Sequence, residues 1–210
     1  PSFTFWQDVK GRLIKNRLAM ASLFVLILLS ITAIVAPFCS PHTYYEQVEP
    51  MRVYVKLPPR IPGLENLGIF DGRDSQGVDV YAERGIQDEY FFFGTDTLAR
   101  DQWSRTWYGV RISLYIGLLA VAINLCIGVT YGGIAGYYGG RVDNLMMRFT
   151  EIIGSIPDLV IMILFLLVFK PGIFTMSLAM VFTSWIGMAR VTRGQVLKIK
   201  NQEYVMVSRT

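Results

Sequence analysis

The chain of 210 residues contains one histidine and two cysteines, and it has no Gly-x-x-x-x-Gly-Lys-Ser/Thr loop. A lone His42 excludes a histidine-based triad and a His/Cys metal cluster. Without that Gly-rich motif there is no P-loop to hold nucleotide phosphates. Cys39, just past the first apolar run, and Cys126, inside the second, cannot build a disulfide framework and read as free thiols used for packing. No catalytic or metal-ligating set emerges, so the chain is not read as an enzyme.

Charge is scarce as well, at 17% of residues against 52% hydrophobic, with a mean hydropathy of +0.40. It is absent from 28 consecutive residues between Arg17 and Glu46, from 29 between Arg111 and Arg141, and from 19 between Lys170 and Arg190. Each run can hold the roughly 20-residue apolar helix that crosses a bilayer core. A soluble domain is excluded, and so is a disordered chain, because aromatics reach 13%.

The net charge of +4 raises the question of nucleic acid, and the placement of the charges rejects it. Lys10, Arg12, Lys15 and Arg17 precede the first run, while Arg190, Arg193, Lys198, Lys200 and Arg209 follow the last. Basic residues near span ends stay in the cytoplasm. The sequence therefore predicts a cytoplasmic N-terminus and a first span in 1–36, running from Leu18 to Ala36 and ended by Pro37. An extracytoplasmic loop follows over 37–111, with eight Lys or Arg against eleven Asp or Glu. Spans two to four occupy 112–189, at Ile112–Tyr137, Phe149–Phe169 and Ile173–Ala189. They are joined by a short loop Tyr138–Arg148 and a tight outer turn at Lys170-Pro171-Gly172. A basic cytoplasmic segment fills 190–210.

Within the outer loop, Arg52–Leu57 alternates like a short strand and the remainder reads as turns with little core. Thr95–Asp101 reads as the capped start of an interfacial helix, with Asp96 or Thr97 as N-cap. Trp103, Trp107 and Tyr108 anchor that helix at the membrane surface.

Two further patterns carry weight. Gly128, Gly132, Gly136 and Gly140, with Gly133 beside them, recur every four residues and predict a face on which another helix backbone can come close. Glu151 and Asp158, seven residues apart around Pro157, read as carboxylates on one helix. They fit either a proton or cation path, or a bland pairing of Glu151 with Arg148 and of Asp158 with neighbouring helices.

The stretch Phe93-Gly94-Thr95-Asp96-Thr97-Leu98-Ala99-Arg100-Asp101 with Ser104-Arg105, Gly109 and Arg111-Ile112-Ser113-Leu114 resembles the C-type permease subunits of ABC dipeptide, oligopeptide and nickel importers. The likeness continues through Gly136-Tyr137-Tyr138-Gly139-Gly140-Arg141-Val142-Asp143, Met147-Arg148-Phe149, Ile156-Pro157 and Trp185. It extends through Ala189-Arg190 to Arg193-Gly194-Gln195-Val196-Leu197. Leu57-Pro58-Pro59-Arg60-Ile61-Pro62-Gly63 and the closing Ser208-Arg209-Thr210 are most similar to the oligopeptide branch of Gram-positive bacteria.

This resemblance implies an all-α, polytopic bundle in the bacterial plasma membrane, with four spans present of an expected six. It implies a second permease subunit as heterodimer partner and two cytoplasmic ABC ATPases, which bind the ATP and Mg. It also implies an extracytoplasmic peptide-binding lipoprotein, with an oligopeptide as cargo. In that family the loop after the fourth span carries an E-A-A-x-x-x-G coupling motif. Its counterpart here is Glu203, Tyr204, Val205, Met206, Val207, Ser208 and Arg209, in which Met206, Val207 and Ser208 depart from the pattern. The reading from residues alone leaves two rivals open, an ion-coupled carrier using Glu151 and Asp158 and a non-transporting membrane scaffold.

Overall fold

A computed structural model describes residues 5–64 and 68–202. These divide into two compact units, 1–113 and 114–210, with the boundary inside one long helix. Among the described residues the regular structure is helical, with isolated bridges in place of strands. Three helical stretches are long and apolar enough to cross a membrane, or four if one bent pair counts as a single span. The chain is a polytopic helical membrane protein.

The first unit starts with α1 (Phe5–Lys15) and α2 (Arg17–Val35). Asn16 separates them, its side-chain oxygen accepting from the amides of Leu18 at 3.1 Å and Ala19 at 3.2 Å. At 1.5 Å per residue α2 is about 28 Å long, which matches a bilayer core. Its hydroxyls turn inward on their own helix: Ser30 donates to Leu26 O and Thr32 to Leu28 O, so no polar group faces lipid unmet. Nearly all of its side chains are exposed, with Ala33 buried.

The far end of α2 is closed from outside the helix. Its last carbonyls have no intrahelical donor. Arg111 donates from Nε to Ala33 O at 2.6 Å and from Nη2 to Ile34 O at 3.0 Å, and Trp103 Nε1 donates to Ala36 O at 2.6 Å. Arg111→Ala is expected to lower the stability of this unit by about 1–3 kcal/mol, because carbonyls at a dry helix end lose a charged donor. A thermal-unfolding series on the full-length protein checks it, and Arg111→Lys should recover part of the loss.

Between α2 and the next long helix, 40–101 forms a small folded segment around Leu57, Val80, Tyr81 and Phe91, with Val48, Tyr54 and Ile86 packed against them. This core exceeds the sequence expectation of turns alone. Arg52–Leu57 is not a strand either, because Met51–Tyr54 makes one helical turn, α3. Arg84, just past the short α4 (Val80–Glu83), donates to the carbonyls of Val53 and Val55 at 2.8 and 2.7 Å. Those carbonyls are thereby taken by a side chain instead of a neighbouring strand. Gly94, at φ +70°, lies where a Cβ would stand 2.1 Å from Leu57 O, so no other residue fits that crossing.

The helix expected to start at Asp96 or Thr97 starts later. α5 (Gln102–Ile123) is capped by Asp101, whose carboxylate accepts from Trp103 N and Ser104 N. The same carboxylate accepts from the hydroxyls of Ser40 and Ser104. Asp96 instead closes the preceding turn, taking the amides of Leu98 and Arg100 and the Arg100 guanidinium, and this lets Ala99 hold φ 55°. Partial burial pushes the Asp96 carboxyl up, but the hydrogen bonds from Arg100 and Leu98 outweigh it and hold the group below its usual range.

The stabilisation from Asp96 is complete above the unfolded-state pKa and is lost as pH falls through the lower folded value. Protection of the amides in 94–101, taken relative to their intrinsic exchange rates at each pH, is expected to fall as pH drops below about 4. Asp96→Asn should remove that pH dependence.

The second unit continues α5 through one π-helical stretch, Asn124–Val129, into α6 (Thr130–Tyr138). The expected loop Tyr138–Arg148 is instead almost wholly helical. Gly139 and Gly140, both at positive φ, make the corner, and α7 (Gly140–Gly154) begins at once. The charges that suggested a loop lie on a helix surface, and one of them is buried and paired, as described below.

The third span is likewise not continuous over Phe149–Phe169. α7 stops at Gly154, and α8 (Asp158–Val168) leaves at 70°. Pro157 supplies no amide and forces Ile156 out of helical geometry. α9 (Ile173–Thr183) and α10 (Trp185–Lys200) form a 28-residue stretch. The fourth helix therefore runs through Arg190 and Arg193 to Lys200 and does not end at Ala189.

Candidate functional site

The glycine face determines how the second unit packs. A Cβ on Gly128 would meet Met188 Cβ at 2.8 Å and Trp185 O at 3.0 Å. On Gly132 it would stand 2.1 Å from Ala189 O, and on Gly136 it would stand 2.8 Å from Val196 Cβ and 2.9 Å from Arg193 O. The partner positions climb α10 in step with the glycines, so α6 and α10 run parallel with backbones in contact. Gly140 stands apart from this face, because nothing lies within 4 Å of its Cβ position. The positive-φ corner at Gly139 turns it away from the helix that the periodicity assumed. Gly133 points into open space. Above the glycines, Ile123, Trp185, Ile186 and Ala189 form the core with Leu119, Tyr131 and Ile153 against them.

Parallel packing constrains the path of the chain. α6 ends beside the end of α10, where Lys200 Nζ donates to Tyr137 O at 2.7 Å. To begin α9 and α10 and arrive parallel, the chain must travel back along the unit between Gly139 and Gly172. The bent pair α7–α8 supplies that return.

A second tie joins α7 to α10. Arg193 Nε donates to Asp143 Oδ1, and Arg193 Nη2 donates to Asp143 Oδ2 at 2.6 Å. Asp143 lies in the first turn of α7, where a carboxylate also favours the helix dipole, and it is 5% exposed. Two parallel N–H···O bonds fix angle as well as distance. The sequence reading did not find this pair; its signal was one acid and one base embedded in separate stretches of strong family likeness, 50 residues apart.

Beside the pair opens a polar cleft of about 490 Å³ lined by Asn144, Arg148, Thr150, Glu151, Arg190 and Arg193. Arg148 donates to Glu151 at 3.0 Å. Glu151 ends up on α7 and Asp158 at the start of α8, across the 70° bend. The two carboxylates are therefore not stacked on one helix, and both side chains are exposed. The geometry of a two-carboxylate path along one helix is absent. Among the described residues no group of three His, Cys, Asp or Glu could hold a metal.

Glu203, Tyr204, Val205, Met206, Val207, Ser208 and Arg209 lie outside the described residues. The described chain leads up to them through α10, which is tied to α6 by Gly132, Gly136 and Lys200, to the π-helical stretch by Gly128 and to α7 by an ion pair. Where α10 meets Gly128, α5–α6 carries its π-helical stretch, a local irregularity of the kind found at functional positions.

Comparison with known proteins gives two family matches. Residues 4–59 match the N-terminal TM domain of oligopeptide transport permease C. Residues 128–210 match the binding-protein-dependent transport system inner membrane component. The chain is 42% identical to the dipeptide transport system permease protein DppC of Bacillus subtilis (strain 168), over 100% of the chain and 56% of that protein. It is 39% identical to the oligopeptide transport system permease protein OppC of the same organism, over 100% of the chain and 58% of the relative. It is 37% identical to OppC of Haemophilus influenzae, over 96% and 56%. The chain spans a little over half the length of these relatives.

Proposed function

Because the chain belongs to the family of binding-protein-dependent transport inner-membrane components, among the dipeptide and oligopeptide permeases of type C, we propose that it acts within a permease subunit of an ATP-driven importer of oligopeptides. Hydrolysis belongs to two separate cytoplasmic ATPase subunits, a second permease completes the pathway, and an extracytoplasmic binding lipoprotein delivers the peptide. The chain supplies helix surface and the coupling segment 203–209, and the Lys200 end of α10 faces the cytoplasm together with the N-terminus.

The observation that carries this reading is the tethering of α10. The helix that precedes the coupling segment in sequence is joined to α6 by close backbone contact and to α7 by a bidentate ion pair. Such a group moves as a rigid body, and rigid-body rearrangement is how a push at one end becomes alternating access. The parallel course of α6 and α10 supports one further crossing between them, in agreement with the placement of the basic residues.

The test is uptake of a labelled oligopeptide by vesicles carrying the complete complex of the full-length protein. Uptake is expected to require ATP and to persist when the proton gradient is dissipated. Uptake that follows the gradient and ignores ATP would overturn the proposal and revive the ion-coupled carrier.

A further inference from the structure

On the other side of α7 from the polar cleft lies an apolar groove of about 430 Å³, formed by Tyr131, Leu145, Met146, Phe149 and Ile152, and Arg148 belongs to both. The two hollows meet at a single guanidinium, with polar walls on one side and hydrocarbon on the other. Among the described residues, Arg190 forms no hydrogen bond or ion pair, whereas Arg148 is paired with Glu151 and Arg193 with Asp143. The charge of the cleft is thus left one positive unit in excess, at Arg190.

The depth of Arg190 is set by the sequence. The uncharged run that carries α9 and the start of α10 ends at Ala189, immediately before Arg190, and Arg148 lines the same cleft one turn before Glu151 on α7. Arg190 therefore sits where hydrocarbon gives way to headgroups, and the shared cleft brings Arg148 beside it. A basic pocket between helices at that level suits an anionic headgroup, and a free anion would have no use for the groove beside it.

We propose that the cleft and groove together bind one anionic phospholipid, its phosphate at Arg190 and Arg148 and an acyl chain along Phe149 and Ile152. The assignment to the inner leaflet rests on the orientation proposed above. Direction of charge, depth and the adjoining apolar surface all favour lipid over an acidic segment of a partner protein, which would match the cleft and leave the groove open.

The test uses the full-length protein in its assembled complex in mild detergent, with phosphatidylglycerol or phosphatidylcholine titrated in and bound lipid counted by native mass spectrometry. Phosphatidylglycerol is expected to bind in preference, Arg190→Ala to weaken it about fivefold, the worth of one basic residue at a charged surface, and Arg190→Lys to weaken it less. Ile152→Gln, which leaves every charge in place, should weaken binding of both lipids.

Equal binding of the two lipids, or undiminished phosphatidylglycerol binding by Arg190→Ala, would overturn the proposal. Displacement of the lipid by millimolar inorganic phosphate would do so in favour of a free-anion site. Absence of bound lipid from the assembled complex would do so in favour of a protein partner. Lipid counting does not depend on transport, so a complex that binds the lipid and fails to import would overturn only the transport reading.

Discussion

Gly132→Leu is expected to prevent α6 and α10 from packing, and with it the assembly of the complex. A Cβ at that position stands 2.1 Å from the carbonyl oxygen of Ala189, which is itself fully buried. The atom in the way is backbone, so no rotamer change can clear it. The helices must separate, and the contacts of Gly128 with Trp185 and of Gly136 with Val196 are lost together. Overpacking of a core typically costs about 1–3 kcal/mol when side chains can yield; here the cost should lie at or above the top of that range. In a membrane there is no hydrophobic drive to hold loosened helices together, and close packing is the main source of association.

The measurement is recovery of the assembled full-length complex by size-exclusion chromatography. Gly133→Leu, one residue on and facing open space, is the control and should assemble normally. Equal recovery of the two variants would refute the packed face.

Asp143→Ala is expected to cost about 1–3 kcal/mol, because the buried carboxylate's two bonds are lost while the stranded Arg193 guanidinium, one-third exposed, still reaches the water of the cleft. The loss should be larger than that of a surface ion pair, for which about 0–1 kcal/mol is typical. The bond geometry, two donors on two acceptor oxygens, also holds α7 at a fixed angle to α10. If the chain works as proposed, uncoupling is expected along with instability: peptide-stimulated ATP hydrolysis by the complete complex should fall by more than the amount of assembled complex. The double variant Asp143→Arg with Arg193→Asp restores the pair in reverse and should recover part of both. A double variant no better than its single parents would show that the charges act separately.

Much of the membrane architecture was legible because lipid imposes a simple rule. A helix in hydrocarbon must be apolar for about 20 residues, so α2 was located to within a residue or two. The glycine face was legible for the same reason, since four-residue spacing on a helix is one face wherever the helix is straight. The pattern failed at Gly140, where positive φ at Gly139 and Gly140 ends α6.

The misreadings have physical causes. Arg141, Asp143 and Arg148 looked like a loop because charge was counted and pairing was not visible. Arg190 to Lys200 follows the expected fourth span as a basic segment, and it continues the same helix. Both are helix, because Asp143 and Arg193 satisfy each other and Lys200 caps the Tyr137 carbonyl. The outer segment was read as turns because its core residues, Leu57, Val80, Tyr81 and Phe91, are scattered over 35 positions with no common period.

By itself, the sequence determined the membrane class, the approximate positions of the apolar runs, the clustering of basic residues at their ends and the family likeness. Each of these depends on local composition or on short motifs. Only the tertiary structure decided that α10 runs parallel to α6, that α7 and α8 are set 70° apart, that Glu151 and Asp158 do not share a helix, and that Arg148 and Arg190 converge on one cleft. The bend and the parting of Glu151 from Asp158 come from the local break at Pro157, whereas the parallel packing and the cleft depend on residues from 42 (Arg148 and Arg190) to 63 (Tyr137 and Lys200) positions apart meeting in space, and no short window along the chain contains both members of such pairs.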